Sequence, residues 1–232
     1  MEIVIYTYQG ITMLDAIGPY EILHNIKGVD IKFVAKSIGN IKADSGFLNL
    51  NIKHSINEIE KADILLIPGS SIAFIREMKD NTVLEWIRKI DKTSKKTVSV
   101  CSGSIILGAT GLLKGKKATS HWKVIPLLKD FGITPTRERI VEEGKYITAA
   151  GVSAGIDMAI YLSNQLKGEM EAKAAQLVIE YDPNPMFDSG NYKTAEKDII
   201  ELAEKKMTFT AKKEMKLLEM LMNYGTLKKL RG

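Results

Sequence analysis

Residues 63–67 (DILLI) form an almost wholly apolar run that ends at Pro68-Gly69. An apolar run of this length without alternation is typical of a central parallel strand, which is buried on both faces of its sheet. Strand patterns and helical patterns alternate along the rest of the chain, which is the order found in α/β proteins with a mostly parallel sheet. The run therefore predicts the middle of an α/β sandwich.

The remaining elements follow from apolar periodicity and from turn residues. Strands are predicted at residues 2–8, 31–36 and 97–100, and in a hairpin of residues 138–142 and 145–149. Helices are predicted at residues 15–26, 82–92, 105–113, 153–167 and 170–180, and after a turn-rich loop at about 194–207 and 211–224. We expect one domain over residues 1–190, with residues 191–232 as its helical extension. The apolar stripe of that extension favours packing across a two-fold interface.

Charge and cysteine content limit the partners and the compartment. The net charge is +5, and +4 of it lies from Lys193 onward, where both signs alternate at helical spacing. This pattern is typical of a solvated helix and does not favour a surface that binds nucleic acid. The single cysteine forms no internal disulfide, and the first residues lack the pattern of a signal peptide. The longest uncharged run, residues 97–113, is too short and too polar to span a bilayer. We expect a cytoplasmic protein.

A strand meets a helix at Cys101, and this junction is the strongest functional signal in the chain. The segment 98–104 (VSVCSGS) places Cys101 on a sharp turn at the carboxyl end of a strand, where ligands bind in open α/β sheets. The helix dipole favours a thiolate there, and the amide of Ser102 points to where an oxyanion would develop. Gly103 permits close packing behind the turn. A buried, inert cysteine is the alternative, and Ser99 departs from the strict glycine elbow.

Two further turns are expected at the same edge of the sheet. Asp15 follows the first strand and opens a helix, so it is either a helix carboxylate or a proton donor and acceptor facing Cys101. Burial and like charge would raise the pKa of such a carboxyl. The turn at Gly69-Ser70 follows the central strand. It is either an ordinary strand-to-helix turn or a source of a second oxyanion donor.

The three histidines do not complete a Cys-His-Glu triad. His24 lies within the first helix and His54 in a charged loop, so both are expected to be surface or packing residues. His121 follows a short strand-like segment and precedes Trp122. It is either a structural histidine or a neighbour of Cys101. The spacing of the histidines predicts no metal site.

The chain resembles the PfpI-type branch of the class I glutamine amidotransferase-like superfamily, and within it the isocyanide hydratases. The motifs that carry the resemblance are LDAIGP (14–19), LLIPG (65–69), residues 99–122, GVSAGID (151–157) and IEYDPNPMFDSG (179–190). The resemblance implies a flavodoxin-like three-layer sandwich and a homodimer. It also implies a Cys101 nucleophile, Asp15 as acid and base, and a hydroxyl at Ser102. The oxyanion amides would fall at Ser102 and in the Gly69-Ser70 turn, where relatives have a second glycine in place of Ser70.

The implied reaction is hydration of an isocyanide to an N-substituted formamide, without cofactor or metal. The expected partner is a small electrophile, with His121 and Trp122 as candidate substrate contacts. Two alternatives remain open at this point. One is a glyoxalase or deglycase acting on α-oxoaldehydes. The other is a ligand or redox sensor related to the N-terminal domains of AraC-type regulators, although about 50 residues after Tyr181 are too few for two helix-turn-helix units.

Overall fold

The computed structural model describes residues 1–208, whose first compact unit spans Met1–Asp182 and whose second begins at Pro183. The strands are β1 (Glu2–Tyr6), β2 (Asp30–Ala35), β3 (Gly39–Lys42), β4 (Asn49–Ile52), β5 (His54–Ser55), β6 (Ile64–Ile67), β7 (Lys96–Val100), β8 (Lys117–Ala118), β9 (Thr134–Pro135), β10 (Ile140–Glu143) and β11 (Tyr146–Ala149). The α-helices of the first unit are α1 (Met13–Leu23), α2 (Phe74–Glu77), α3 (Asn81–Asp91), α4 (Gly103–Ala109), α5 (Ala154–Lys167) and α6 (Glu169–Val178). Short 3₁₀ helices lie at Ile56–Glu58 and Ile125–Phe131.

A seven-stranded sheet of order β10-β11-β7-β6-β1-β2-β5 forms the centre of the first unit. All neighbouring strands are parallel except β10, which pairs antiparallel with β11. Every residue of β6 is buried, as expected of a strand covered on both faces. The carboxyl ends of β1, β6 and β7 therefore lie side by side at one edge, and the loops that follow them meet there.

Helices flank the sheet and complete the flavodoxin-like α/β sandwich predicted from the sequence. On one side α1 packs against α5, and α5 against α6, while α2 and α3 both contact α4. Gly18 and Gly155 allow the close packing of α1 and α5, because a Cβ at Gly18 would lie 3.0 Å from Ile156 and one at Gly155 would lie 3.2 Å from Pro19. No helix within residues 1–208 has the length and apolar character needed to cross a membrane.

The predicted elements agree with the structure in order and type, with local differences. Helix α4 ends at Ala109 rather than near residue 113, because Gly111 adopts a left-handed conformation (φ +83°) that ends the helix. The antiparallel pair β3–β4 was not predicted, since its residues are mostly exposed and lack clear alternation. In the second unit, residues 197–208 are helical. The helix expected at 211–224 lies outside the described residues.

Candidate active site

Cys101 occupies a strained turn between β7 and α4. Its φ is +58°, a left-handed conformation that non-glycine residues seldom adopt and that is concentrated at functional sites. Its N–H donates to the carbonyl oxygens of Ala149 and Ala150, at 3.1 and 2.8 Å. Its carbonyl oxygen accepts from the hydroxyls of Ser120 and Ser104, at 2.9 and 3.2 Å. The strained turn is therefore held by hydrogen bonds from three other segments of the chain.

Gly103 brings the start of α4 against the end of β6. A Cβ at this position would lie 2.0 Å from the carbonyl oxygen of Ile67, which no side chain can occupy. The contact agrees with the close packing expected of Gly103. It brings the turn that carries Cys101 close to the Gly69-Ser70 turn.

Asp15 lies in the first turn of α1 and is completely buried. Its Oδ2 accepts a hydrogen bond of 2.9 Å from the N–H of Gly69, while its Oδ1 has no hydrogen-bond partner that satisfies normal geometry. Burial raises the pKa of Asp15 to about 7, against the lowering effects of the Gly69 N–H and of the Cys101 thiol that faces it. A carboxyl with this pKa can donate or accept a proton near neutral pH.

The Cys101 thiol is also buried, with 5% of the residue exposed. Burial raises its pKa well above the usual range, and the charge of Asp15 raises it further. The N–H groups of Ser102 and Val152 act in the opposite direction but do not outweigh burial. This direction is opposite to the one that a helix N-terminus favours, because burial of the thiol, followed by the charge of Asp15, has the larger effect on its pKa.

The two amides of the Gly69-Ser70 turn already have acceptors, in contrast to the free oxyanion donors expected there. The N–H of Gly69 donates to Asp15, and the N–H of Ser70 donates to the hydroxyl of Ser102 at 2.9 Å. The Ser102 hydroxyl in turn donates to the carbonyl oxygen of Ser70 at 2.8 Å. The side chain of Ser70 accepts from the N–H of Phe74 and so starts α2. In the structure this turn orients Asp15 and Ser102.

Val152 is a site residue that the sequence analysis did not single out. Its backbone N–H and that of Ser102 both lie close enough to the thiol of Cys101 to lower its pKa. Val152 belongs to the GVSAGID motif just before α5, and that motif was the only signal that could have identified it. These two amides lower the pKa of the thiol against the effect of burial.

His121 and Trp122 lie at the border of the site. The ring of His121 covers Gly151, where a Cβ would lie 2.9 Å from its Cδ2, and Gly151 immediately precedes Val152. Burial lowers the pKa of His121. The ring centroids of His121 and Trp122 are 5.5 Å apart. The histidine therefore supports the loop beside the thiol and is not paired with it.

The other histidines lie at the surface. His24 stacks on Tyr20 with ring centroids 4.9 Å apart, and His54 lies 3.8 Å from Glu58. Within residues 1–208 no three His, Cys, Asp or Glu side chains are grouped as a metal site would require.

The chain is similar in sequence and in fold to known proteins. The model of the DJ-1/PfpI family matches residues 1–165. The chain is 33% identical to the isonitrile hydratase of Pseudomonas putida over 94% of this chain and 95% of that protein. It is 26% identical to a deglycase of Thermococcus kodakarensis, over 64% of this chain and 89% of that protein. A crystal structure of a ThiJ/PfpI family protein from Pseudomonas syringae superposes with a TM-score of 0.84 at 36% identity, covering 90% of this chain and 88% of that one.

Proposed function

The chain belongs to the DJ-1/PfpI family, and from this premise we propose that it is an enzyme that hydrates isocyanides to N-substituted formamides. The observation that carries the proposal is the buried pair of Asp15 and Cys101, in which a carboxyl with a pKa of about 7 faces a thiol of raised pKa. The similarity to an isonitrile hydratase over nearly the whole chain supports the same reaction.

The first step forms a covalent intermediate. The carboxylate of Asp15 accepts the thiol proton, and the sulfur of Cys101 attacks the terminal carbon of the isocyanide. The carbon that gains the C–S bond becomes basic and takes the proton from Asp15. The product of this step is a thioimidate, R–N=CH–S–Cys101, with Asp15 ionised again. One carboxyl thus acts first as base and then as acid.

The second step adds water and releases the product. Asp15 accepts a proton from water as the oxygen attacks the thioimidate carbon, and the nitrogen receives that proton. Asp15 then takes the hydroxyl proton while the C=O bond forms and the C–S bond breaks. The sulfur leaves with the electron pair, so the pair of residues again holds one proton. The sum is one isocyanide and one water converted to one formamide.

Other groups of the site have supporting functions in this scheme. The N–H groups of Ser102 and Val152 stabilise negative charge on the sulfur as it forms and as it leaves. The N–H of Gly69 orients the carboxyl of Asp15, and Ser70 orients Ser102. His121 has no part in the proton transfers. A small electrophile is the only substrate class required, and we keep the cytoplasmic homodimer inferred from the sequence as part of the proposal.

The deglycase relative favours a second candidate function at the same pair of residues. A thiol and a carboxyl also suit attack on the aldehyde carbon of an α-oxoaldehyde, followed by proton transfer. In the isocyanide reaction the attacked carbon must receive a proton from Asp15, whereas in this alternative the oxygen of the attacked carbonyl group receives the proton. The two candidates differ in substrate and share their residues.

The test is production of formamide from a simple alkyl isocyanide and an aryl isocyanide, followed by chromatography. Wild type is expected to turn over, Cys101→Ala and Asp15→Asn to lose at least 100-fold in kcat/KM, and His121→Gln to stay within about threefold of wild type. Absence of turnover by wild type, with a thiol that still reacts with iodoacetamide, would contradict the proposal. Consumption of methylglyoxal by the same preparation would then support the deglycase-type alternative.

A further inference from the structure

Asp44, in the loop between β3 and β4, joins two segments of the candidate active site. Its Oδ2 accepts hydrogen bonds from the hydroxyl of Thr12, at 2.5 Å, and from the hydroxyl of Ser71, at 2.8 Å. Its Oδ1 accepts from the N–H of Ser45 at 2.7 Å. One carboxylate oxygen therefore connects the loop after β1 to the loop after β6.

These two loops determine where the carboxyl of Asp15 lies. Thr12 immediately precedes α1, and its carbonyl oxygen accepts from the N–H of Asp15 at 3.0 Å. Ser71 lies two residues after Gly69, whose N–H holds the Oδ2 of Asp15. The two loops also meet directly, because the N–H of Thr12 donates to the carbonyl oxygen of Gly69 at 3.1 Å. Movement of either loop would change the distance from the Asp15 carboxyl to the thiol.

We propose that Asp44 is a positioning residue for the reaction, because its carboxylate fixes both loops that set the Asp15 carboxyl against the Cys101 thiol. The inference rests on the proposed function in one respect, since the reaction in which Asp44 has this role is the one proposed for Asp15 and Cys101. Asp44 makes none of the contacts expected of a catalytic residue. Its effect is exerted through Thr12, Ser71 and the backbone of its own loop.

The charge of Asp44 adds a second effect on the same carboxyl. Burial is the largest cause of the raised pKa of Asp15, and the negative charge of Asp44 raises this pKa further. The other titratable groups that face Asp15 are the Cys101 thiol and the phenol of Tyr8, whose own pKa is raised by burial. The thiol and the phenol are both neutral in the resting state. Of these three groups, Asp44 is therefore the one whose charge acts on the pKa of Asp15. Geometry and charge are separable by substitution.

Two sets of variants separate them. Asp44→Asn keeps an oxygen that can accept from Thr12 and Ser71 but removes the charge. The double variant Thr12→Val with Ser71→Ala keeps the charge and removes both side-chain hydrogen bonds. Asp30→Asn is the matched control, because Asp30 is an exposed carboxylate at the first residue of β2, at the opposite end of the strand from the site. Circular dichroism and thermal unfolding check that each variant is folded.

The readout that does not depend on the substrate is alkylation by iodoacetamide. Cys101 is the only cysteine in the chain, so the rate reports this one thiol at each pH from 5 to 10. Removing the negative charge of Asp44 lowers the pKa of Asp15. In Asp44→Asn the acid limb of the alkylation profile is therefore expected to shift to lower pH by about half a unit. Asp30→Asn is expected to reproduce the wild-type profile.

Steady-state hydration of an isocyanide supplies the second readout. The double variant is expected to lose about tenfold in kcat with KM within twofold, because a displaced carboxyl affects proton transfer more than binding. If the double variant does not fold, the single variants Thr12→Val and Ser71→Ala take its place, because each removes one of the two hydrogen bonds to Asp44. Wild-type kcat in the folded double variant, or in both folded single variants, would overturn the proposal. Failure of the isocyanide assay in wild type would contradict the proposed reaction and leave the alkylation result interpretable.

Discussion

The hydroxyl of Ser102 forms two hydrogen bonds with the backbone of Ser70, donating to its carbonyl oxygen at 2.8 Å and accepting from its N–H at 2.9 Å. The two residues are 32 positions apart and both are buried. This reciprocal pair connects the turn that carries Cys101 to the turn that orients Asp15. The relative position of the nucleophile and the carboxyl therefore depends on the hydroxyl of Ser102.

Removal of that hydroxyl is expected to destabilise the fold. In Ser102→Ala both backbone groups of Ser70 lose a partner in a buried site, which should lower the free energy of unfolding by about 1–3 kcal/mol. Ser104→Ala is the control, because the carbonyl oxygen of Cys101 that Ser104 contacts keeps its hydrogen bond from Ser120. Urea denaturation of the three proteins measures the difference. Equal stability of the two variants would show that the Ser70 groups find other partners.

A methyl group at residue 69 is expected to separate the two halves of the site. The Cβ of Gly69→Ala would lie 2.5 Å from the backbone nitrogen of Ser102 and 2.9 Å from Oδ2 of Asp15, so the backbone must shift. We expect a loss of about 1–3 kcal/mol in stability and at least a tenfold loss in kcat/KM. Gly190→Ala is the control, because no atom lies within 4 Å of a Cβ there and its φ is ordinary. Retention of full activity by Gly69→Ala would refute the close approach.

Asp15→Asn is expected to inactivate the protein and stabilise it at neutral pH. The folded state raises the pKa of Asp15 from 3.8 to about 7, so the folded state holds a proton that the unfolded chain has lost. The contribution of this group is fully present below pH 3.8 and is lost as pH rises towards 7 and above. Asparagine removes this penalty and can still accept from Gly69. The gain should be ~4 kcal/mol at pH 8 and ~2 kcal/mol at pH 5.

Urea denaturation of wild type and Asp15→Asn at pH 5, 6, 7 and 8 checks this prediction. The stability difference between the two proteins should widen from pH 5 to pH 7 and level off above pH 7. A difference that is constant with pH would mean that the carboxyl titrates normally in the fold. The assignment of Asp15 as acid and base would then lose its physical basis.

The left-handed conformation of Cys101 predicts an order of stability for two inactive variants. Glycine adopts φ +58° without steric penalty, whereas alanine retains the strain of an L-residue. Cys101→Gly should therefore be about 1 kcal/mol more stable than Cys101→Ala, although glycine is usually the more destabilising substitution. Thermal unfolding of both proteins measures the order. The reverse order would indicate that the turn relaxes once the thiol is removed.

Local patterns were sufficient to predict the architecture and part of the site. Apolar runs, helical periodicity and the Pro68-Gly69 and Glu143-Gly144 turns are properties of neighbouring residues, so the order of strands and helices could be predicted from them. Because parallel strands end at one edge, Asp15, Gly69 and Cys101 were expected to converge. The hairpin β3–β4 was missed, since its residues are largely exposed and carry a weak pattern. The hairpin brings Asp44 to the site.

The protonation and hydrogen bonding of the site could not be predicted in this way, because they depend on distances between remote segments and on burial. Asp15 and the Gly69 N–H are 54 positions apart, and Asp44 and Thr12 are 32 apart. No local pattern indicates that the amides of Gly69 and Ser70 are already engaged, or that Val152 directs its N–H at the sulfur. The sequence by itself determined which chemical groups stand at the carboxyl ends of the strands. The tertiary structure decided their proton affinities, since desolvation of the buried thiol of Cys101 outweighs the effect of the N–H groups of Ser102 and Val152.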